Sequence, residues 1–224
     1  MGYYPDFAAI SLSDYARLLQ EIDLVPSRAI LLEQTALRFK ALEKAGIHHL
    51  ADVLAATKTR PKLIALFESS LVDIDFLTVL GRELRSYQSK PNNISDFPEL
   101  APEISGLLEK AGIKNTLQLY DRVITLRKRQ ELAEETGIDS NIIDQLAHLT
   151  DLSRIQWVNH TFAYLLYQTG YDSARKIARA DAGKLYKATE KWNAQHQLFK
   201  GKVGLRDIKR IIQAAQWVPE DIEF

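Results

Sequence analysis

The chain has 224 residues, 46% hydrophobic, 26% charged and 9% aromatic, with 29 basic residues balanced by 29 acidic ones. That composition excludes a disordered or collagen-like chain, and the absence of cysteine excludes disulfides, thiolate zinc sites, iron–sulfur clusters and cysteine nucleophiles. No apolar run approaches the roughly 20 residues of a membrane span, and the first residues lack a basic segment leading into an apolar stretch. A membrane is therefore not an expected partner, and a cytoplasmic address is the expectation.

Taken in order, the periodic segments read as helices. Tyr15, Leu18, Leu19 and Ile22 fall at i, i+3, i+4 and i+7, and Ser11 with Asp14 forms a capping box at the start of that stripe. Asp23 to Pro26 closes it, and a second apolar stretch runs through Ile30 and Leu31. Leu63, Ile64 and Phe67, then Phe76, Leu77 and Leu80, repeat helical spacing, with Asp73-Ile74-Asp75 placed to open a helix. Alternation of period two is absent over any useful length. The expected class is all-α with short connections, and Pro91-Asn92-Asn93 is the clearest break.

An internal repeat organises the chain. Leu42-Glu43-Lys44-Ala45-Gly46-Ile47 recurs unchanged as Leu108-Glu109-Lys110-Ala111-Gly112-Ile113, with a weaker copy in Leu166-Tyr167-Gln168-Thr169-Gly170-Tyr171. Each has the form of a helix end, with glycine at the left-handed position just past the helix and an apolar residue after it. Asn115, and Asp172 or Ser173, are placed to cap the next helix. Fifteen residues before each glycine stands an apolar residue, Leu31, Phe97 or Ile155. Glu68 to Asp73 and Glu135 to Ser140 repeat as well. Repeated units without repeated catalytic residues favour binding over chemistry.

At these residues the sequence resembles the tandem helix-hairpin-helix proteins. It is particularly similar to a bacterial family classed as a domain of unknown function, through Asp96-Phe97-Pro98, the Leu-Glu-Lys-Ala-Gly-Ile units, and Asp151 to Ile155 leading into Phe162 to Leu166. The resemblance implies tandem helix-hairpin-helix repeats: an N-terminal unit over 1–90 with a first, degenerate hairpin, and two further units with basic C-terminal helices over 91–224. DNA-binding members of such folds use a Gly-x-Gly turn that lets backbone N–H groups approach a phosphate. Mapped by the fifteen-residue spacing, those positions are Glu33 and Thr35, Glu99 and Ala101, and Trp157 and Asn159, none of them glycine. The small residue eight positions into the unit is kept as Ser105 and Ala163 but is Phe39 in the first copy. The packing signature is better kept than the phosphate-binding one.

Reactive constellations are few. His48, His49, His148, His160 and His196 show no metal-ligand spacing, although His148, Asp151 and His160 can converge. Glu134-Glu135 and Glu220-Asp221 read as helix-terminal charges. Tyr164 and Tyr167, beside Leu165 and Leu166, read as core or subunit packing rather than base stacking. There is no phosphate loop, dinucleotide fingerprint or nucleophile elbow, so no enzyme activity and no cofactor are expected. Charge, however, is unevenly spread. From Ala174 to Arg210 eleven basic residues face three acidic ones, so the rest of the chain is correspondingly acidic. A nucleic-acid-binding surface is expected at Arg175, Lys176, Arg179, Lys184, Lys187, Lys191, Lys200 and Lys202, interleaved with Trp192 and Phe199. Arg175, Lys176 and Arg179 would lie near the start of the helix after Gly170, with the next three lysines continuing their face. The expected partner is a DNA or RNA backbone, bound without sequence preference. The alternative is a protein-interaction scaffold that has lost its phosphate-binding turns.

Overall fold

A computed structural model describes residues 2–224, and among these the chain is all-helical, with isolated single-residue bridges but no strand. It divides into two compact units, Pro5–Gln88 and Ser89–Phe224, the latter including the N-terminal residues up to Tyr4.

In the first unit Ser11 caps α1 (Leu12–Leu19) by accepting from the Asp14 N–H, as the capping box predicts. A 3₁₀ segment (Pro26–Leu32) leads to α2 (Thr35–Lys44), α3 (Leu50–Ala56), α4 (Arg60–Ser70) and α5 (Ile74–Ser86). Tyr15, Phe39 and Phe76 form an aromatic chain through its core, with ring centroids 6.2 Å apart at each step. The large Phe39, where the other copies keep a small residue, fills that centre.

The second unit runs from a 3₁₀ turn (Ile94–Asp96) through α6 (Pro102–Lys110), α7 (Thr116–Val123), α8 (Leu126–Thr136), α9 (Ser140–Ser153), α10 (His160–Gln168), α11 (Ala174–Ala178), α12 (Ala182–His196) and α13 (Leu205–Ala215). Its core joins Phe97, Leu108, Leu146, Ile155, Phe162, Leu166, Ile177 and Ile208.

The three predicted helix ends share one geometry. Gly46, Gly112 and Gly170 have φ of +85°, +80° and +82°. Ile47, Ile113 and Tyr171 each donate their N–H to the carbonyl five residues back, on Leu42, Leu108 and Leu166, while each glycine N–H bonds the carbonyl three back. That is the Schellman closure, which satisfies the orphan carbonyls at a helix end. The apolar residues fifteen positions upstream, Leu31, Phe97 and Ile155, are all buried. Asn115 and Ser173 cap α7 and α11 as expected; His49 occupies that position before α3.

The duplication reaches further than the hexapeptide. Leu71 and Gly137, sixty-six residues apart, both end a helix with positive φ, +56° and +69°. Asp73 and Asp139, at the same spacing, cap α5 and α9. Glu68 therefore corresponds to Glu134 rather than Glu135, because the cap and the left-handed residue set the register. The turns that precede the glycine-ended helices need a similar correction. Left-handed residues stand at Glu99 and Trp157, as mapped, but in the first copy at Gln34 rather than Glu33.

Candidate functional site

The segment after Gly170 is held differently from its counterparts. After Gly46 and Gly112, extended backbone reaches it: Leu12 N–H bonds His48 O and Leu50 N–H bonds Ile10 O, while Ile94 N–H bonds Lys114 O and Thr116 N–H bonds Asn92 O. After Gly170, side chains of α9 supply both contacts. His148 Nδ1 lies 2.9 Å from Asp172 O, and Asp151 Oδ2 accepts the Ala174 N–H at 2.7 Å. His148 and Asp151 thus converge as the sequence allows, on backbone; His160 is not part of that pair.

Asp151 belongs to a buried charge cluster. The fully buried Arg154 guanidinium meets Asp151 at 2.9 Å and Asp221 at 3.0 Å, donates to the carbonyls of Gly2, Tyr3 and Pro219, and lies over the Tyr120 ring. Burial pushes the Asp151 carboxyl up to about 6, against the opposing pull of Arg154 and the Ala174 N–H. Tyr120 donates to Asp221, and burial followed by that carboxylate raises the Tyr120 hydroxyl, keeping it protonated.

This cluster seats the segment that follows α13. Glu220 reaches Arg175 Nε at 3.5 Å and Arg179 Nη2 at 3.2 Å. The Glu223 N–H donates to Ile124 O, and Arg129 donates to Glu223 O. Phe224 stacks on His148 with centroids 4.1 Å apart. Beside the segment lies a cavity of about 790 Å³, lined among others by Arg129, His148, Arg175 and Arg179. Glu220-Asp221, expected as helix-terminal charges, instead lies beyond the last helix, and both carboxylates are held by arginines.

The eight expected basic residues fall into two sets. Arg175 and Lys176 lie on α11 and Arg179 at its end, all exposed, but Arg175 and Arg179 share Glu220, and Lys176 meets Asp172 at 2.7 Å. Lys184, Lys187 and Lys191 lie on α12, a separate helix capped by Asp181, so they do not continue the face of the five-residue α11. Leu185 and Thr189 face the core, which turns the three lysines outward onto one exposed stripe. Lys200 and Lys202 stand exposed in the loop before α13. Among the described residues none of these five lysines has a carboxylate within ion-pair distance.

The aromatics near them are partly committed. Trp192 stacks on the exposed His196 at 3.9 Å and meets Tyr164 edge-on at 6.4 Å. Phe199 packs on Phe162 at 5.3 Å and is clamped by Asn193, which accepts from its N–H and donates to its carbonyl, both at 2.8 Å. Gly201 permits this fold-back, because a Cβ there would lie 2.6 Å from the Phe199 ring. Tyr164 is core, as expected, and its hydroxyl donates to Glu99 in the second turn.

The geometry defines an all-helical protein with an unpaired basic stripe and a second basic pair held by its own carboxylate. Residues 98–218 match the family described as Domain of unknown function (DUF4332), and the chain belongs to that family. No curated protein and no solved structure matches the chain. No helix among the described residues is long and apolar enough to cross a membrane.

Proposed function

We propose that the chain is a non-catalytic module of tandem helix-hairpin-helix units that binds a DNA or RNA backbone without sequence preference. The observation that carries this reading is the set of exposed, unpaired lysines on and after α12: Lys184, Lys187, Lys191, Lys200 and Lys202. Solvated cations without carboxylate partners are free to neutralise phosphates, and the release of condensed counterions drives such binding. The Gly46, Gly112 and Gly170 closures, each preceded by a tight turn with a left-handed residue, support the helix-hairpin-helix description. The turns themselves are poor phosphate cradles. Glu99 presents a carboxylate bonded to Tyr164, and in the third turn the left-handed position is held by Trp157 rather than glycine.

The test is binding of a random-sequence duplex and a single strand across a salt series. Replacing Lys184, Lys187 and Lys191 with glutamine should weaken binding to all sequences alike and make the log–log salt slope shallower by about 2.7 on a duplex, close to 0.9 per lost phosphate contact. Unchanged binding would remove the assignment. A second reading, a protein-interaction scaffold, is favoured by Trp157, which is 51% exposed in a left-handed turn. Absence of nucleic-acid binding at low salt supports that alternative.

A further inference from the structure

We propose that Arg175 and Arg179 form a second phosphate site, occupied in the isolated chain by the carboxylate of Glu220. Its ligand class, a backbone phosphate, rests on the reading of the α12 lysines; its geometry does not. Arg175 and Arg179 stand one helical turn apart and hold one carboxylate between them, Oε2 on Arg175 and Oε1 on Arg179. Two guanidinium groups converging on one anion are the arrangement that takes phosphoryl oxygens.

The other carboxylates at this cavity already have cations of their own. Asp144 meets Arg129 at 2.9 Å, Asp151 meets Arg154, and Asp172 meets Lys176. Glu220 differs from them in being spread across two arginines at longer range. All three partners are solvated, with side-chain exposures of 62% for Arg175, 61% for Arg179 and 49% for Glu220. Exposed pairs of this kind add little to stability and exchange readily. The backbone beside Glu220 is by contrast pinned, because Asp221 is buried against Arg154 and Tyr120 and Val218 is buried. Glu220 is thus a tethered competitor at high local concentration, and only its side chain must swing to admit a phosphate. The consequence is a basic surface in two parts: lysines that are always open, and an arginine pair that engages only an anion able to displace Glu220.

The experiment uses the full chain, its Glu220→Gln variant, and that variant carrying Arg175→Gln and Arg179→Gln. A labelled random-sequence DNA duplex is titrated across salt, and inorganic phosphate is titrated while the Arg175 and Arg179 side-chain Nε–H resonances are followed. Glu220→Gln should bind duplex about tenfold tighter at low salt, with a slope steeper by about 1.8 for two added phosphate contacts. The arginine substitutions should abolish that gain, and phosphate should shift both resonances in Glu220→Gln at concentrations that leave the parent unchanged. Equal duplex affinity for parent and Glu220→Gln, with no phosphate-induced shift, overturns the site even if the lysines bind. Phosphate-induced shifts without duplex binding by either chain uphold the site and remove the lysine reading. Glu220→Ser serves as a second variant, and an unfolding midpoint matching the parent secures the comparison.

Discussion

Among the described residues, five that are not glycine have positive φ: Gln34, Leu71, Glu99, Trp157 and Gln197. A left-handed conformation crowds Cβ against the following carbonyl, at a cost of about 1–2 kcal/mol that glycine avoids. Leu71 is the plainest case, because it is 81% exposed, so little packing offsets the strain, and its counterpart sixty-six residues on is Gly137. Leu71→Gly should raise stability by about 1 kcal/mol, read as a higher denaturation midpoint. Gly112→Ala should lower it by about 1 kcal/mol, and purely through backbone strain, since a Cβ there meets nothing within 4 Å. Gly112 was legible in the sequence because glycine after a helical stripe has few other uses. Leu71 was not, because leucine carries no such signal.

Where two helices approach closely, the element rather than the residue decides. Gly81 on α5 lets that helix lie against Thr57 at the end of α3; an added Cβ would sit 2.8 Å from the Thr57 Cβ. Thr57 is also tied to Val53 O at 2.8 Å and receives Arg85 at 3.2 Å, so it cannot easily yield. Gly81→Ala should therefore destabilise the first unit by about 1–3 kcal/mol, whereas Ala147, at the equivalent position of α9, is accommodated and buried. Thermal melts of the two chains check this. At α11 the deciding element is α9. Its His148 and Asp151 replace the extended backbone that serves the other two copies, a substitution that no hexapeptide repeat announces.

For the whole molecule, pH tests the buried cluster. Asp151 titrates near 3.8 when unfolded and near 6 when folded, so the folded state binds its proton more tightly. Its stabilising contribution is complete below about pH 4 and is lost as pH rises through about 6, an effect on the order of 3 kcal/mol. Asp14 and Asp52 act the other way. The Ser11 hydroxyl and then Arg17 lower Asp14, and the His48 and His49 N–H groups lower Asp52, so their contribution is present above about pH 4 and lost in acid. Burial lowers His148, so its contribution is present above about pH 6.5 and lost as pH falls. Urea midpoints between pH 4 and 6 should therefore lose the Asp151 decline in the Asp151→Asn variant while keeping the other slopes.

The sequence by itself determined the all-helical class, the three glycine-ended helices and most of their caps. These depend on neighbours within a turn or two, and local backbone chemistry leaves few alternatives. It also located the excess of positive charge, but not which of those charges are free. Arg175 and Arg179 meet a glutamate more than forty residues on, and Arg154 meets an aspartate sixty-seven residues on, whereas the lysines of α12 meet no carboxylate among the described residues. Only the tertiary structure decided that division. A charge is neutralised by whatever the folded chain brings within about 4 Å, and sequence distance does not determine that approach.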